Sequence, residues 1–301
     1  MKQFVKAIEV WVPSSKNNLV LELGSAYYGE LSDFKHRSET MSFAYDQGLP
    51  GKTWATGRPI VLTDLSNDYF QRSEIAEQAY IDCGISLPIF SGDFLQAVVV
   101  LFCGGGENVV GATEIWHNAD GNENELKLVD GYYGELENFE WISRRLTIMR
   151  GRGLPGKAWD AGKPIIIDDI SLSNSFMRAN HAAEVGITTG LAIPFSYPES
   201  EVQILTLLSA KGTPIARRFE IWVPNEDCTA LHFDSGHCYV ETDLALKYAN
   251  RGISKGEGPI GESWLSGRPL VADISPNEGD AMIVLPNIKD CRLNSIVCLV
   301  L

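Results

Sequence analysis

Two arginines at matching positions are the residues best suited to bind a ligand. Arg72 and Arg178 each follow a phenylalanine by two residues, Phe70 in one case and Phe176 in the other. A guanidinium group facing a pocket suits an anionic ligand, because its planar set of donors matches a carboxylate or a phosphate. The alternative is an arginine that lies on the surface or pairs with an upstream aspartate. The residues alone leave both readings open.

The six cysteines offer a second kind of chemistry. None forms a Cys-x-x-Cys pair, so the spacing indicates neither a zinc finger nor a disulfide framework. Cys83 is a candidate redox thiol, with Cys103 as its nearest partner in the chain. Cys238 lies beside His237, but a small cysteine is more often a core residue. The five histidines show no ligand spacing, and we predict no metal and no cofactor.

The composition restricts the binding partners and the cellular location that we expect. The chain has 301 residues, a net charge of −14 and a pI of about 4.8. An acidic surface repels phosphate backbones and anionic membranes, so we expect no nucleic-acid partner and no membrane association. The N-terminus lacks the apolar core of a signal peptide, and the apolar run at residues 97–103 is too short to span a bilayer. We expect a cytoplasmic protein.

Internal repetition organises the candidate residues. Five landmarks recur in register at offsets of 104 to 106 residues, which predicts three tandem copies at 1–107, 108–214 and 215–301. The landmarks are Glu-Val/Ile-Trp (9–11, 114–116, 220–222), Gly-x-x-Gly (48–51, 153–156, 258–261), a tryptophan (54, 159, 264), Gly-Arg/Lys-Pro (57–59, 162–164, 267–269) and an aspartate (64, 169, 273).

Each copy predicts the same α+β unit, a central antiparallel sheet with short helices on one face. Alternating strands form a hairpin, and a short helix at residues 52–56 ends at a glycine. A β-branched run follows, then a helix-like segment at 70–79 or 176–185, then two closing strands. The third copy is truncated: 12 residues separate Asp273 from Pro286, against 23 and 24 in the other copies. This deletion predicts that the third copy lacks the helix-like segment.

The ordered motifs resemble the GAF domains of bacterial sensor kinases. The second copy carries the fullest set, the first copy most of it, and the third copy the Gly-Pro-Ile-Gly turn, the tryptophan and Gly-Arg-Pro. The resemblance implies a pocket between the sheet and the loop and helix segment that bears the arginine. It also implies binding of a small molecule or prosthetic group, or dimerisation, in signalling. GAF domains usually have long flanking helices and an attached output domain, and we expect neither here.

On that resemblance we predict ligand sites in the first two copies and a structural role for the third. The tryptophans could instead anchor their short helix to the sheet. Bilin-binding GAF domains use a Cys-His pair, but His237 and Cys238 align outside the pocket segment, so we expect no bilin. The predicted ligand-binding residues are Trp54, Asp64, Phe70, Arg72, Trp159, Asp169, Phe176 and Arg178.

Three functional hypotheses follow. The leading one is a non-enzymatic sensory or regulatory GAF-repeat protein that binds a small ligand or a signalling protein. The second is an interaction scaffold without a ligand, whose pockets are filled by its own side chains. The third is a thiol redox enzyme acting through Cys83 or Cys103, as in the GAF-fold free methionine sulfoxide reductases. An unfilled pocket near Arg72 or Arg178 would favour the first hypothesis, and a filled one the second.

Overall fold

The computed structural model describes residues 4–17, 19–104, 109–118, 122–170, 173, 176–196, 201–274, 291, 293 and 295–300. It divides into two compact units. The central unit groups Phe4 with Gly105–Phe219 and so holds the second copy. The composite unit groups Val5–Gly104 with Glu220–Leu301, that is, the first copy with the third. The three-copy boundaries follow the sequence pattern and stay a prediction.

The first copy forms one six-stranded antiparallel sheet in the order β3-β2-β1-β6-β5-β4. The first closing strand pairs with the β-branched run, and the second with the Glu-Val-Trp strand. Its elements are β1 (Val5–Pro13), β2 (Val20–Tyr27), α1 (Ser32–Glu39), β3 (Ser42–Ala44), α2 (Gly48–Thr56), β4 (Ile60–Leu62), α3 (Ser73–Gln78), β5 (Cys83–Ser91) and β6 (Phe94–Cys103).

The second copy repeats this topology in its own six-stranded sheet, in the order β10-β11-β12-β7-β8-β9. The α+β fold class predicted from the sequence is confirmed by these two sheets and their short helices. The elements are β7 (Gly111–His117), β8 (Glu125–Tyr132), α4 (Glu137–Ser143), β9 (Thr147–Met149), α5 (Gly153–Ala161), β10 (Ile165–Ile167), α6 (Ala179–Glu184), β11 (Ile187–Ser196) and β12 (Val202–Ala210).

The third copy forms two smaller sheets over its described residues, β13-β14-β15 and β16-β17. The predicted closing strand at 283–286 and the shortened segment before it lie outside the described residues. The second closing strand, predicted at 293–301, is present as β17. The elements are β13 (Arg218–Pro224), β14 (Ala230–Cys238), α7 (Leu244–Tyr248), β15 (Gly252–Ser254), α8 (Gly258–Ser266), β16 (Leu270–Asp273) and β17 (Ser295–Cys298).

The two glycines of the Gly-x-x-Gly landmark are required for different structural reasons. Its first glycine has a positive φ, 60° at Gly48 and 59° at Gly153, which other residues rarely adopt. Its second glycine allows two backbones to approach closely. A Cβ on Gly51 would lie 2.1 Å from the carbonyl oxygen of Ala44, and the corresponding clash at Gly156 is at 2.2 Å. The turn therefore holds the start of α2 or α5 directly against the preceding short strand.

The segment that carries the arginine is less helical than the sequence predicts. Helices were expected over residues 70–79 and 176–185, but α3 and α6 are six residues each. Arg72 and Arg178 are the N-cap residues of these helices. The loop preceding each helix, rather than a helix face, therefore aims the arginine side chain.

Candidate functional site

In the first copy Arg72 is bound to a glutamate at the centre of the sheet. Glu9 on β1 has no exposed surface, and Arg72 is 3% exposed. The guanidinium donates to both carboxylate oxygens, at 2.5 and 3.1 Å, and to Ser38 Oγ on α1. The same carboxylate accepts Trp11 Nε1–H at 2.9 Å and Tyr28 O–H at 3.0 Å. Both oxygens of Glu9 are therefore doubly satisfied.

The second copy reproduces this network with equivalent residues. Arg178 donates to both oxygens of Glu114 on β7, at 2.9 Å for Nη2, and to Ser143 Oγ on α4. Trp116 Nε1 donates to Glu114 at 2.9 Å, and the Tyr133 hydroxyl donates at 3.0 Å. The two copies thus keep the same five side chains in the same roles. We call each set the arginine clamp.

Aromatic rings enclose the guanidinium of each clamp. Three rings lie near the central carbon of each guanidinium, within the distance at which a ring face attracts a cation. One comes from the helix after β2 or β8, one from the loop before the arginine and one from the sheet. The rings are Phe34 (4.6 Å to the centroid), Phe70 (5.6 Å) and Phe102 (5.0 Å) in the first copy, and Phe139 (4.7 Å), Phe176 (5.2 Å) and Trp116 (5.5 Å) in the second.

The surroundings within each clamp shift the pKa values of the clamp tyrosines and of Arg178. Burial raises the pKa of Tyr28 and Tyr133 far above the usual range, and the adjacent carboxylates of Glu9 and Glu114 raise it further. Burial by itself would lower the pKa of Arg178, but the charge and hydrogen bonds of Glu114 outweigh it and the pKa is raised. The tyrosines therefore stay protonated donors and the arginine stays charged.

The third copy satisfies its glutamate differently. Glu220 on β13 is half-buried and accepts Trp222 Nε1–H at 2.9 Å, as in the other copies. Its second oxygen accepts the Tyr248 hydroxyl at 2.7 Å. Tyr248 comes from α7 and occupies the register position of the clamp serine, while Cys238 occupies that of the clamp tyrosine. The hydroxyl donor has thus moved from the end of a strand to a helix.

The other predicted site residues lie around the clamps without entering them. Trp159 is buried in the core of the second copy, and Trp54 is partly buried against that of the first, edge-on to Tyr45 at 5.2 Å. Asp64 is exposed and accepts hydrogen bonds from Ser66 in a local turn. Asp169 is half-exposed. The structure pairs the arginines with strand glutamates instead of these aspartates, and the ligand-binding role of the eight residues stays a prediction.

Sequence reasoning missed the glutamates, although a signal was present. Glu9, Glu114 and Glu220 form part of the most regular landmark in the chain, yet only the strand pattern was read from it. A charged residue is almost never fully buried without a partner. A glutamate that recurs in the middle of a strand, between apolar neighbours, therefore predicts a buried cation that pairs with it in the same copy.

A cleft of about 210 Å³ lies within the composite unit, away from the clamps. Val10 and Val12 form part of its wall on the first copy, and Glu262 and Arg268 bring opposite charges from the third copy. The backbone N–H of Val271 donates to Ser25 Oγ at 3.0 Å beside it. None of its lining residues is among the eight predicted from the sequence.

The cysteines of the redox hypothesis are buried. Cys83 on β5 is the register partner of Cys103 on β6, and neither has appreciable exposed surface. Burial raises the pKa of the Cys103 thiol well above its usual range. A thiol that stays protonated is a poor nucleophile.

The described part of the chain contains no group of three or more His, Cys, Asp or Glu side chains placed to hold a metal ion. Each of its helices is too short or too polar to span a bilayer.

No family model matches the sequence, and no curated protein matches it. One similar structure is a GAF domain, at 14% identity over 34% of this chain and 51% of that one, with a TM-score of 0.27. A second is NreA from Staphylococcus aureus, mutated in its nitrate binding site, at 11% identity over 34% and 75%, with a TM-score of 0.29.

A third similar structure is the free methionine-R-sulfoxide reductase from Neisseria meningitidis in complex with its substrate. It is 14% identical over 33% of this chain and 52% of that one, with a TM-score of 0.26. The chain spans about half the length of the first GAF structure and of the reductase. The resemblance to GAF domains predicted from the motifs is confirmed as a likeness of fold, over about a third of the chain in each comparison.

Proposed function

We propose that this chain is a non-enzymatic regulatory protein that acts by binding a signalling protein, with its first two copies serving as ligand-free scaffolds. The observation that supports this is the arginine clamp. Arg72 and Arg178 would have to recognise an anion, but each gives both of its terminal nitrogens to a buried glutamate. A second anion there would face a guanidinium already neutralised and enclosed by rings.

The state of the thiols supports the non-enzymatic part of the proposal. Reduction of a sulfoxide by a cysteine requires a reactive, accessible thiolate. Cys83 and Cys103 are buried in the sheet, and the pKa of Cys103 is raised by burial. We expect no reduction of free methionine sulfoxide by the purified protein with a dithiol reductant. Turnover that disappears in Cys83→Ser would restore the enzymatic hypothesis.

The ligand-free part is tested by thermal shift. Purified protein is heated with nucleotides, cyclic nucleotides, amino acids, oxo-acids, nitrate and bilins. A ligand at a hundredfold above its Kd stabilises the protein by about 2.7 kcal/mol, which the method resolves readily. The proposal predicts no saturable rise in Tm with any of these compounds. A rise confirmed by equilibrium dialysis would contradict it.

The cleft favours a second candidate, a small-molecule binding site between the first copy and the third. Its apolar wall with one carboxylate and one guanidinium suits a small zwitterion such as an amino acid. If an amino acid raises the Tm, Arg268→Ala should abolish the rise. Arg58→Ala, an exposed arginine in the corresponding Gly-Arg-Pro motif of the first copy, is the matched control and should preserve it.

A further inference from the structure

Two cysteines of the third copy lie in direct contact. Cys238 Sγ and Cys291 Sγ are 3.4 Å apart, although the residues are 53 positions apart in the chain. Neither forms a disulfide in this structure, and both are buried, at 5% and 1% exposed. They pack in one small cluster with Tyr248 and Leu244. To form a disulfide the two sulfurs would have to approach from 3.4 Å to about 2.05 Å.

The contact joins two parts of the third copy that share no sheet in the described residues. Cys238 is the last residue of β14 in the three-stranded sheet, and Cys291 precedes β17 in the two-stranded sheet. In the first and second copies one continuous six-stranded ladder connects all strands. Within the described residues, the cysteine contact links the two sheets of the third copy.

The position of Cys238 is also unusual for its copy. The first two copies have a tyrosine there that donates to the buried glutamate, and in the third copy Tyr248 supplies that bond from another element. The third copy thus satisfies Glu220 while placing a thiol at the tyrosine position.

We propose that Cys238 and Cys291 form a reversible disulfide that fastens the two sheets of the third copy together when the protein meets a peroxide. One thiolate attacks the peroxide O–O bond, giving a sulfenic acid and releasing one water after proton transfer. The second thiol attacks that sulfur, forming the S–S bond and releasing a second water. The two sulfurs supply the two electrons that reduce one hydrogen peroxide to two waters.

Burial determines how the reaction proceeds. Neither thiol is open to solvent, so the first step requires a local opening of the third copy. Cys228, which is exposed in the β13 to β14 turn, reacts faster and reports that oxidant was present. Once formed, the bond closes a loop of more than fifty residues and raises the stability of the third copy by restricting its unfolded state.

The test uses the full chain under native conditions. Protein is treated with hydrogen peroxide, free thiols are alkylated, and peptides are mapped by mass spectrometry. We expect the Cys238–Cys291 linked peptide as the main intramolecular product and a rise in Tm of roughly 5 °C, both reversed by dithiothreitol. Cys228→Asn removes intermolecular crosslinks, since Asn tolerates the positive φ of 51° at this position.

The Cys291→Ala variant distinguishes the proposed disulfide from nonspecific oxidation of the protein. This variant should show neither the linked peptide nor the rise in Tm, whereas Cys83→Ser should show both. Recovery of Cys238 and Cys291 fully alkylated after Cys228 has been oxidised would overturn the proposal. A linked peptide without any rise in Tm would overturn the claim that the bond fastens the two sheets.

Discussion

The first two copies and the third copy begin from the same Glu-x-Trp strand and satisfy its glutamate by different means. Glu9 and Glu114 each receive an arginine, a tyrosine and a tryptophan, and both are fully buried. Glu220 is half-buried and accepts hydrogen bonds from a strand tryptophan and from a tyrosine on helix α7. All three copies keep a strand glutamate that accepts the tryptophan N–H, and the other printed donors differ between the copies.

This difference indicates a structural role for the arginine. A carboxylate with no exposed surface needs a charged partner, because desolvation would otherwise favour its neutral form. In the third copy Glu220 is more exposed than Glu9 and Glu114.

The largest expected effect comes from removing the arginine. Arg178→Met leaves Glu114 buried without its cation and should lower the free energy of unfolding by roughly 3–5 kcal/mol. Arg72→Met should act equally in the first copy. Native-state hydrogen exchange of β7 and β1 amides measures each copy separately. Arg144→Met, which breaks an exposed i,i+4 pair with Glu140, is the control and should cost less than about 1 kcal/mol.

Removing the tyrosine hydroxyl should have the next largest effect. Tyr133→Phe deletes a hydrogen bond to a charged, buried acceptor and should cost about 1.5–3 kcal/mol by the same measurement. The exposed Tyr45 makes only a long hydroxyl contact of 3.4 Å, so Tyr45→Phe should be nearly neutral. Equal effects of the two substitutions would contradict the assignment of Tyr133 to the clamp.

The raised tyrosine pKa predicts a decline in stability at high pH. Above pH 10 the unfolded chain loses its phenolic protons while folded Tyr133 keeps its own, so the folded state binds more protons. The contribution of Tyr133 to the free energy of unfolding is therefore fully present below pH 10. It is lost as pH rises, by at most about 1.4 kcal/mol per pH unit for this residue. Urea titrations between pH 9 and 11 should show a shallower decline in Tyr133→Phe than in the wild type.

The smallest effect is expected in the third copy. Tyr248→Phe removes a single donor from a half-buried acceptor that water can partly solvate, and it should cost about 1 kcal/mol. Hydrogen exchange of the β14 and β15 amides would report it. A loss as large as that of Tyr133→Phe would mean that Glu220 depends on its tyrosine as strongly as the complete clamps do, and the comparison between copies would fail.

The sequence predicted the sheets well because their signals are local. The hairpin strands, the short helix ended by Gly57 at a φ of 64° and the two closing strands all appear where the alternation and the glycines placed them. Helix α1 was missed because its polar sequence has a weak apolar face. The predicted helix at 70–79 began too early, because Phe70 and Arg72 face the core from a loop.

The candidate site was harder to predict because its partners are distant in sequence. Arg72 was recognised as important, but its partner Glu9 lies 63 positions away and only the folded sheet brings them together. The nearer Asp64 was the natural guess by sequence and is exposed instead. The sequence pattern therefore singled out Arg72 but not the residue that neutralises it.

A double-mutant cycle on Arg178 and Glu114 tests most directly whether the arginines are clamps. Unfolding free energies are measured for Arg178→Met, Glu114→Gln, the double variant and the wild type. The account predicts that the double variant is far more stable than the sum of the single losses implies, with a coupling of about 2 kcal/mol or more. A coupling below about 0.5 kcal/mol, with Arg178→Met itself close to wild type, would show that the arginine is not held by the glutamate and is free to bind a ligand.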